Sequence, residues 1–200
     1  MATKQDEAQV IMKEMLKLHM QGLVNWGKSK KKTKCIETAE KFGAILNATT
    51  YSLNKELTTK VQDDIFCIVQ NIREYKACTT IDFSNQPIGD YGAFEVASLV
   101  SPLLGKEIPL DNILSINLSG CEITHIGGFA IVEMLRRLST SSGLKSINLE
   151  NNQIGDDAAM EILKLNKKKG IEINIQNNKL TDPAKTVMIN NGIKAFKLKF

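Results

Sequence analysis

The sequence predicts an α/β solenoid: short parallel strands stacked on a concave face, helices on the convex face, and an α-helical cap in front. Two observations predict the solenoid and a third predicts the cap. Four segments align without gaps, Ile81–Ile88, Ile116–Ile123, Ile147–Ile154 and Ile173–Leu180, each with apolar first, third and last residues. Apolar residues at helical spacing follow the strands, as in Ala93/Val96/Ala97/Val100 and Gly128/Ile131/Met134/Leu135. Residues 1–76 hold no copy of the repeat but carry helical periodicity of their own.

In the cap region the spacing predicts a helix over residues 5–26. Ile11, Met15 and Leu18 lie on one line there, with Met12, Leu16, Met20 and Leu23 beside it. A second helix is expected from Ile36 to Leu46. A third is expected from about Thr58, through Val61, Ile65, Ile68, Val69 and Ile72, to Tyr75. These helices read as the cover that the open end of a repeat core requires. The competing reading is a helix that docks in a partner's groove, suggested by Trp26 with lysines behind it.

In each repeat the second position is polar (Asp82, Asn117, Asn148, Asn174), so alternation over three residues gives a half-buried strand. The pattern resembles the leucine-rich repeat, L-x-x-L-x-L-x-x-N-x-L. Leu144, Ile147, Leu149, Asn152 and Ile154 match every consensus position, and Ile173, Ile175, Asn178 and Leu180 match again. Gln86 and Cys121 replace the asparagine in the first two copies, and Gln86 beside Pro87 predicts a distorted first repeat. A strand followed by a full helix resembles the ribonuclease-inhibitor type of this family. Asp90 and Asp156 read as helix N-caps. Gly92, Gly127, Ala158 and Ala184 leave room for the helix to approach the strand. The strands step by 35, 31 and 26 residues, so the first two copies carry insertions, the first of them a loop over residues 101–110. Lys167, Lys168 and Lys169 before Gly170 read as a helix end. A fifth strand is expected at Phe196–Phe200.

The organisation is therefore residues 1–76 as cap or docking region and residues 77–200 as repeats. Charge divides along similar lines: residues 1–76 carry +4, 77–163 carry −7 and 164–200 carry +7, within a total of +4 over 200 residues. Segmented charge implies separate surfaces rather than a uniform nucleic-acid face. Lysine outnumbers arginine 23 to 3, which argues against sequence-specific base readout. No apolar run is long enough to span a membrane. The charged N-terminus does not read as a secretory signal, so the sequons at Asn47 and Asn117 are expected to be idle. Four scattered cysteines, Cys35, Cys67, Cys78 and Cys121, predict reduced thiols rather than a zinc site or disulfide framework.

Gly22–Ser29 spells the P-loop pattern G-x-x-x-x-G-K-[ST], but a helical rather than a strand pattern precedes it, so it reads as a helix end and loop. Lys28, Lys30, Lys31, Lys32 and Lys34 read either as a solvated interhelical loop or as a basic tether for anionic lipid, nucleic acid or an acidic protein. Neither His19 nor His125 is expected to pair with a nucleophile or carboxylate. The carboxylates Asp82 and Glu150 sit in different repeats among asparagines, so no catalytic constellation is expected.

What remains is a non-enzymatic protein-interaction module without cofactor or metal. Its candidate contact residues are the outward ladder Asp82, Ser84, Asn117, Ser119, Asn148, Glu150, Asn174 and Gln176. The resemblance implies a range that includes actin cappers, ciliary complexes and GTPase activators. Within it, a cytoplasmic scaffold subunit bound to other subunits of a cytoskeletal or axonemal assembly is expected. The alternatives are a GTPase regulator using Asn117, Asn148 and Glu150, with Arg136 and Arg137 off the concave face, and the basic tether.

Overall fold

In the computed structural model, residues 3–26, 29–101, 109–190 and 198–199 are described. The chain opens with two helices, α1 (Lys4–Trp26) and α2 (Ser29–Lys41), followed by an antiparallel hairpin, β1 (Ala44–Asn47) and β2 (Thr50–Leu53). Helix α3 (Gln62–Asn71) and a 3-10 turn (Ile72–Glu74) lead to β3 (Thr80–Asp82) and α4 (Gly89–Val100). Then come β4 (Ser115–Asn117), α5 (His125–Arg137), β5 (Ser146–Asn148), α6 (Asp156–Lys169), β6 (Glu172–Asn174), α7 (Asp182–Asn190) and β7 (Leu198–Lys199). The strands form one sheet in chain order, parallel from β2 onwards. This is the predicted leucine-rich-repeat solenoid with its N-terminal helices.

The hairpin corrects the expected Ile36–Leu46 helix. Helix α2 begins earlier, at Ser29, and stops at Lys41, because Gly43 takes a left-handed φ of +70°. The chain then turns back on Ala48 so that β2 pairs with β3 and adds a strand ahead of the first repeat. Tyr51 anchors that strand: it is fully buried, its hydroxyl donates to Ile68 O at 2.9 Å, and burial pushes its phenol well above the usual range. Helix α3 is correspondingly shorter than predicted, starting at Gln62 instead of Thr58.

On α1 the predicted apolar face meets the core at Met15, Ile11, Met12, Leu16 and Leu23, whereas Leu18 and Met20 are 39% and 43% exposed and Ala8, His19 and Gly22 are buried instead. Gly22 is required by packing, since a Cβ there would lie 2.6 Å from the Phe66 ring. The expected reduced state of all cysteines is corrected as well. α2 packs face to face on α3, bringing Cys35 and Cys67 to a Cα separation of 4.3 Å in a disulfide, while Cys78 and Cys121 are buried free thiols.

Within the repeats, inward residues such as Ile81, Ile116, Ile147 and Ile173 stack in register and are at most 1% exposed. The residue four after each of them, Asn85, Gly120, Asn151 or Asn177, has a φ of 55–65°, which Asn and Gly tolerate best. In the first repeat the strand keeps the common register, Thr80 pairing with Ser115, but the chain beyond Pro87 is distorted as predicted: Ile88 is helical and Gly89 has a φ of +61°, where Thr124 and Gly155 of the next repeats are extended. Of the expected terminal strand, Leu198 and Lys199 pair with Ile173 and Asn174; the rest lies outside the described residues.

Candidate protein-interaction surface

The asparagine position holds adjacent repeats together. Asn152 Oδ1 accepts from Cys121 N and Ile123 N at 3.0 Å each, and its Nδ2 donates to Leu118 O at 2.8 Å and Leu149 O at 2.9 Å. Asn178 does the same one joint later, accepting from Ile154 N and donating to Leu149 O, both at 2.9 Å. Where the consensus fails, the replacements still reach backwards. Cys121 Sγ donates to Phe83 O at 3.0 Å, and Gln86 Oε1 accepts from Leu57 N at 2.7 Å. That longer arm is what the first repeat needs, since the unit before it is the hairpin and its connection.

The small residues after the strands do what the spacing predicts. A Cβ on Gly92 would lie 2.4 Å from that of Ile88, and one on Gly127 would lie 2.7 Å from Asp90 Oδ1. The two aspartates, however, do not cap their own helices. Ile88 and Gly155 occupy those N-cap positions without side-chain cap bonds. Instead Asp90 accepts from Thr124 N and Thr124 Oγ1 at 2.7 Å each and from Gly127 N at 2.9 Å, so it serves the N-terminus of the next helix. Asp156 repeats this with Thr181 N at 2.8 Å and Thr181 Oγ1 at 2.7 Å.

The predicted ladder is brought together on the outward face of β3–β6. One column runs Thr80, Ser115, Ser146, Glu172 and the next Asp82, Asn117, Asn148, Asn174. The second column also has a local duty. The Oδ1 atoms of Asp82, Asn117, Asn148 and Asn174 accept from the backbone N–H groups of Ser84, Ser119, Glu150 and Gln176 at 3.0–3.2 Å, turning the chain out of each strand. Glu150 ties the far end together, accepting from Asn174 Nδ2 at 3.1 Å and Asn177 Nδ2 at 3.4 Å. The surface is thus a pre-organised, polar and acidic sheet face.

The lysine run lies elsewhere and is not a loop. Residues 29–34 form the first turns of α2, where Lys32 pairs with Glu74 and Lys34 with Asp63, both at 2.8 Å. The bond to Asp63 pushes the Lys34 ammonium pKa up. Lys28, and the side chains of Lys30 and Lys31, lie outside the described residues, as do residues 102–108 of the insertion. Of the P-loop spelling, residues 22–26 end α1 with Gly22 against Phe66, Ser29 opens α2, and Gly27 and Lys28 lie outside the described residues; among the described residues a helix and not a strand precedes it. Arg136 and Arg137 stand on α5, off the strand face, and Arg136 bridges Glu133 and Glu161. Gly170, at φ +68°, closes α6 as predicted.

One pairing overturns the expectation for histidine. His19 Nδ1 lies 2.8 Å from Glu95 Oε2, and both side chains are fully buried between α1 and α4. Gln70 Nε2 donates to the same oxygen at 3.3 Å. His125 Nε2 stands 4.0 Å from Glu7 Oε2. No local signal could have shown the first pair, whose members are 76 residues apart; the hint was a charged residue inside each of two apolar helical faces. Among the described residues no cluster of three His, Cys, Asp or Glu is placed to hold a metal, and no helix is long and apolar enough to cross a membrane.

A family signature described as Leucine Rich repeat matches residues 141–163. No curated protein sequence matches the chain. Among solved structures, the chain is similar to the actin-binding site 2 of leiomodin-1, with a TM-score of 0.55 and 19% identity, over 80% of this chain and 87% of that one. The matched segment covers β5 and the first half of α6, the part of the molecule where every consensus position is filled. Together with the stacked parallel strands and outer helices, these likenesses show that the fold is a leucine-rich-repeat solenoid.

Proposed function

We propose that the chain is a non-enzymatic protein-interaction module of the ribonuclease-inhibitor type, serving as a scaffold subunit in a cytoskeletal assembly. Residues 77–200 supply the contact face and residues 1–76 the cap. The supporting observation is the outward ladder: its polar side chains are fixed by Asx turns and by Glu150, so a partner meets a surface that loses little entropy on binding. The likeness to an actin-binding site of leiomodin-1 favours an actin-based partner, with an axonemal one as the neighbouring choice. The contact residues are Asp82, Ser84, Asn117, Ser119, Asn148, Glu150, Asn174 and Gln176.

The test is co-sedimentation with filamentous actin together with cross-linking pull-down from native extract, at low and high salt. The intact chain is compared with Ser119→Lys/Glu150→Lys and with Lys30, Lys31 and Lys32 changed to Ala. Loss with the ladder variant and tolerance of salt support the proposal. Loss with the lysine changes or with salt moves binding to the start of α2.

A further inference from the structure

Arginine is scarce here, 3 residues against 23 lysines, and two of the three are adjacent at Arg136 and Arg137. Leu138 alone separates them from Ser139-Thr140-Ser141-Ser142, a run of four hydroxyl residues. Arg136 has a structural reason to be arginine, since its fork spans Glu133 and Glu161. Arg137 meets the same Glu133 at 3.7 Å with its side chain 51% exposed. The hydroxyl run follows Leu138, the C-cap residue of α5, and Ser139, Thr140 and Ser141 are exposed.

We propose that Ser139 is a phosphorylation site for a basophilic serine kinase, which recognises the arginines three and two residues before the acceptor. Paired guanidinium groups ahead of a serine match the acidic substrate groove of such kinases by charge and by bidentate geometry. In the step itself, Ser139 Oγ forms a bond to the γ-phosphorus of ATP. The bond from that phosphorus to the bridging oxygen breaks, ADP leaves, and the hydroxyl proton passes to the kinase's base. Leu138 already has an extended ψ of 124°, so the chain leaves the helix before the acceptor. Only the last turn of α5, the part of a helix that frays most readily, must open to release Arg136 and Arg137.

The site for the product is also in place. Lys169 Nζ donates to Leu138 O at 2.6 Å, which sets an ammonium from the next helix one residue away from Ser139. A phosphate carrying about −1.5 to −2 charges would pair with it and tie the ends of α5 and α6 together.

The test incubates the full chain with the catalytic subunit of a cyclic-nucleotide-dependent kinase and Mg-ATP, mapping the product by mass spectrometry. One phosphate at Ser139 is expected, reduced at least tenfold in Ser139→Ala. Slowing of about tenfold or more is expected in Arg136→Lys/Arg137→Lys, with circular dichroism showing that the variant is folded. Phosphorylation should also slow acylation of Lys169 several-fold. The proposal is overturned if the full chain stays unmodified while a peptide of residues 133–143 is phosphorylated, because the motif is then locked in the fold. It is equally overturned if the label maps to Thr140, Ser141 or Ser142.

Discussion

His19 of α1 and Glu95 of α4 form a fully buried pair, Nδ1 to Oε2 at 2.8 Å, caged by Phe66 and Phe94, whose rings stand edge-on to the imidazole at centroid distances of 5.9 Å. The pair fixes where α1 lies on the repeats. Ile11, Met12, Met15, Leu16 and Leu23 of the same helix supply non-directional apolar packing, to which the pair adds a directional contact. Removing one partner takes a hydrogen bond from a fully buried polar side chain, so His19→Ala or Glu95→Ala should each cost about 1–3 kcal/mol. Replacing both by apolar residues of similar volume should restore most of that loss. Urea unfolding of the two single variants and the double variant measures it, and additive losses would show that the two residues are not coupled.

Asn152 makes a second kind of prediction, because its carboxamide serves backbone groups in two repeats. Asn152→Ala leaves the Cys121 and Ile123 N–H groups without acceptors, at a cost of about 1–3 kcal/mol for each buried orphan. Asn178→Ala, at a less buried position, should cost less. Hydrogen exchange at Cys121 and Ile123 should accelerate in the first variant and stay unchanged in the second.

The repeats were legible in the sequence because their determinants are local. Strand alternation, the asparagine, the left-handed Asn or Gly and the small residue after the strand all fall within a dozen positions. The hairpin was less so: its turn residue is Ala48 rather than an Asn-Gly pair, and Ile45 and Leu46 continue a helical stripe past Gly43. Ending the helix at Gly43 was the available signal. The polar ladder was found, but its Asx turns were not, since hydrogen bonding by outward asparagines depends on backbone course rather than composition. Contacts such as His19–Glu95 and Cys35–Cys67 depend on how α1 and α2 wrap the first repeats, which no short-range pattern encodes.

The Cys35–Cys67 disulfide joins helices α2 and α3 over a separation of 32 residues. Closing a loop of that length stabilises by about 3–4 kcal/mol through the unfolded state. Reduction, or Cys35→Ala/Cys67→Ala, should lower stability by that order and loosen α2 first. Chemical denaturation with and without dithiothreitol is the measurement, and an unchanged midpoint would exclude the cross-link.

The free thiols should be inert. Cys121 is fully buried, and burial pushes its thiol pKa up to about 12; Cys78 is raised by the same cause. Since the thiolate is the reactive form, the native protein at pH 8 should consume no thiol reagent, whereas the unfolded protein should consume two equivalents. Modification of Cys121 at the rate of an exposed thiol would mean that the joint between the first two repeats opens in the native state.

The Asp–Thr staple occurs at two joints, Asp90 with Thr124 and Asp156 with Thr181, and is missing between them, where the same positions hold His125 and Gly155. The backbone there is already suited to it: Gly155 has φ −94° and ψ 174°, close to the −95° and −170° of Thr124, and a Cβ on Gly155 would meet nothing within 4 Å. Glu7 faces His125, so an aspartate at that position would meet a like charge unless Glu7 is neutralised. Glu7→Gln/His125→Asp/Gly155→Thr should therefore gain about 1–2 kcal/mol from charge-assisted bonds at the N-terminus of α6. Without Gly155→Thr the new aspartate has no hydroxyl partner, and the gain should vanish. Thermal unfolding of the variants at pH 7 measures it, and a triple variant no more stable than the native chain would mean that the aspartate does not accept those bonds.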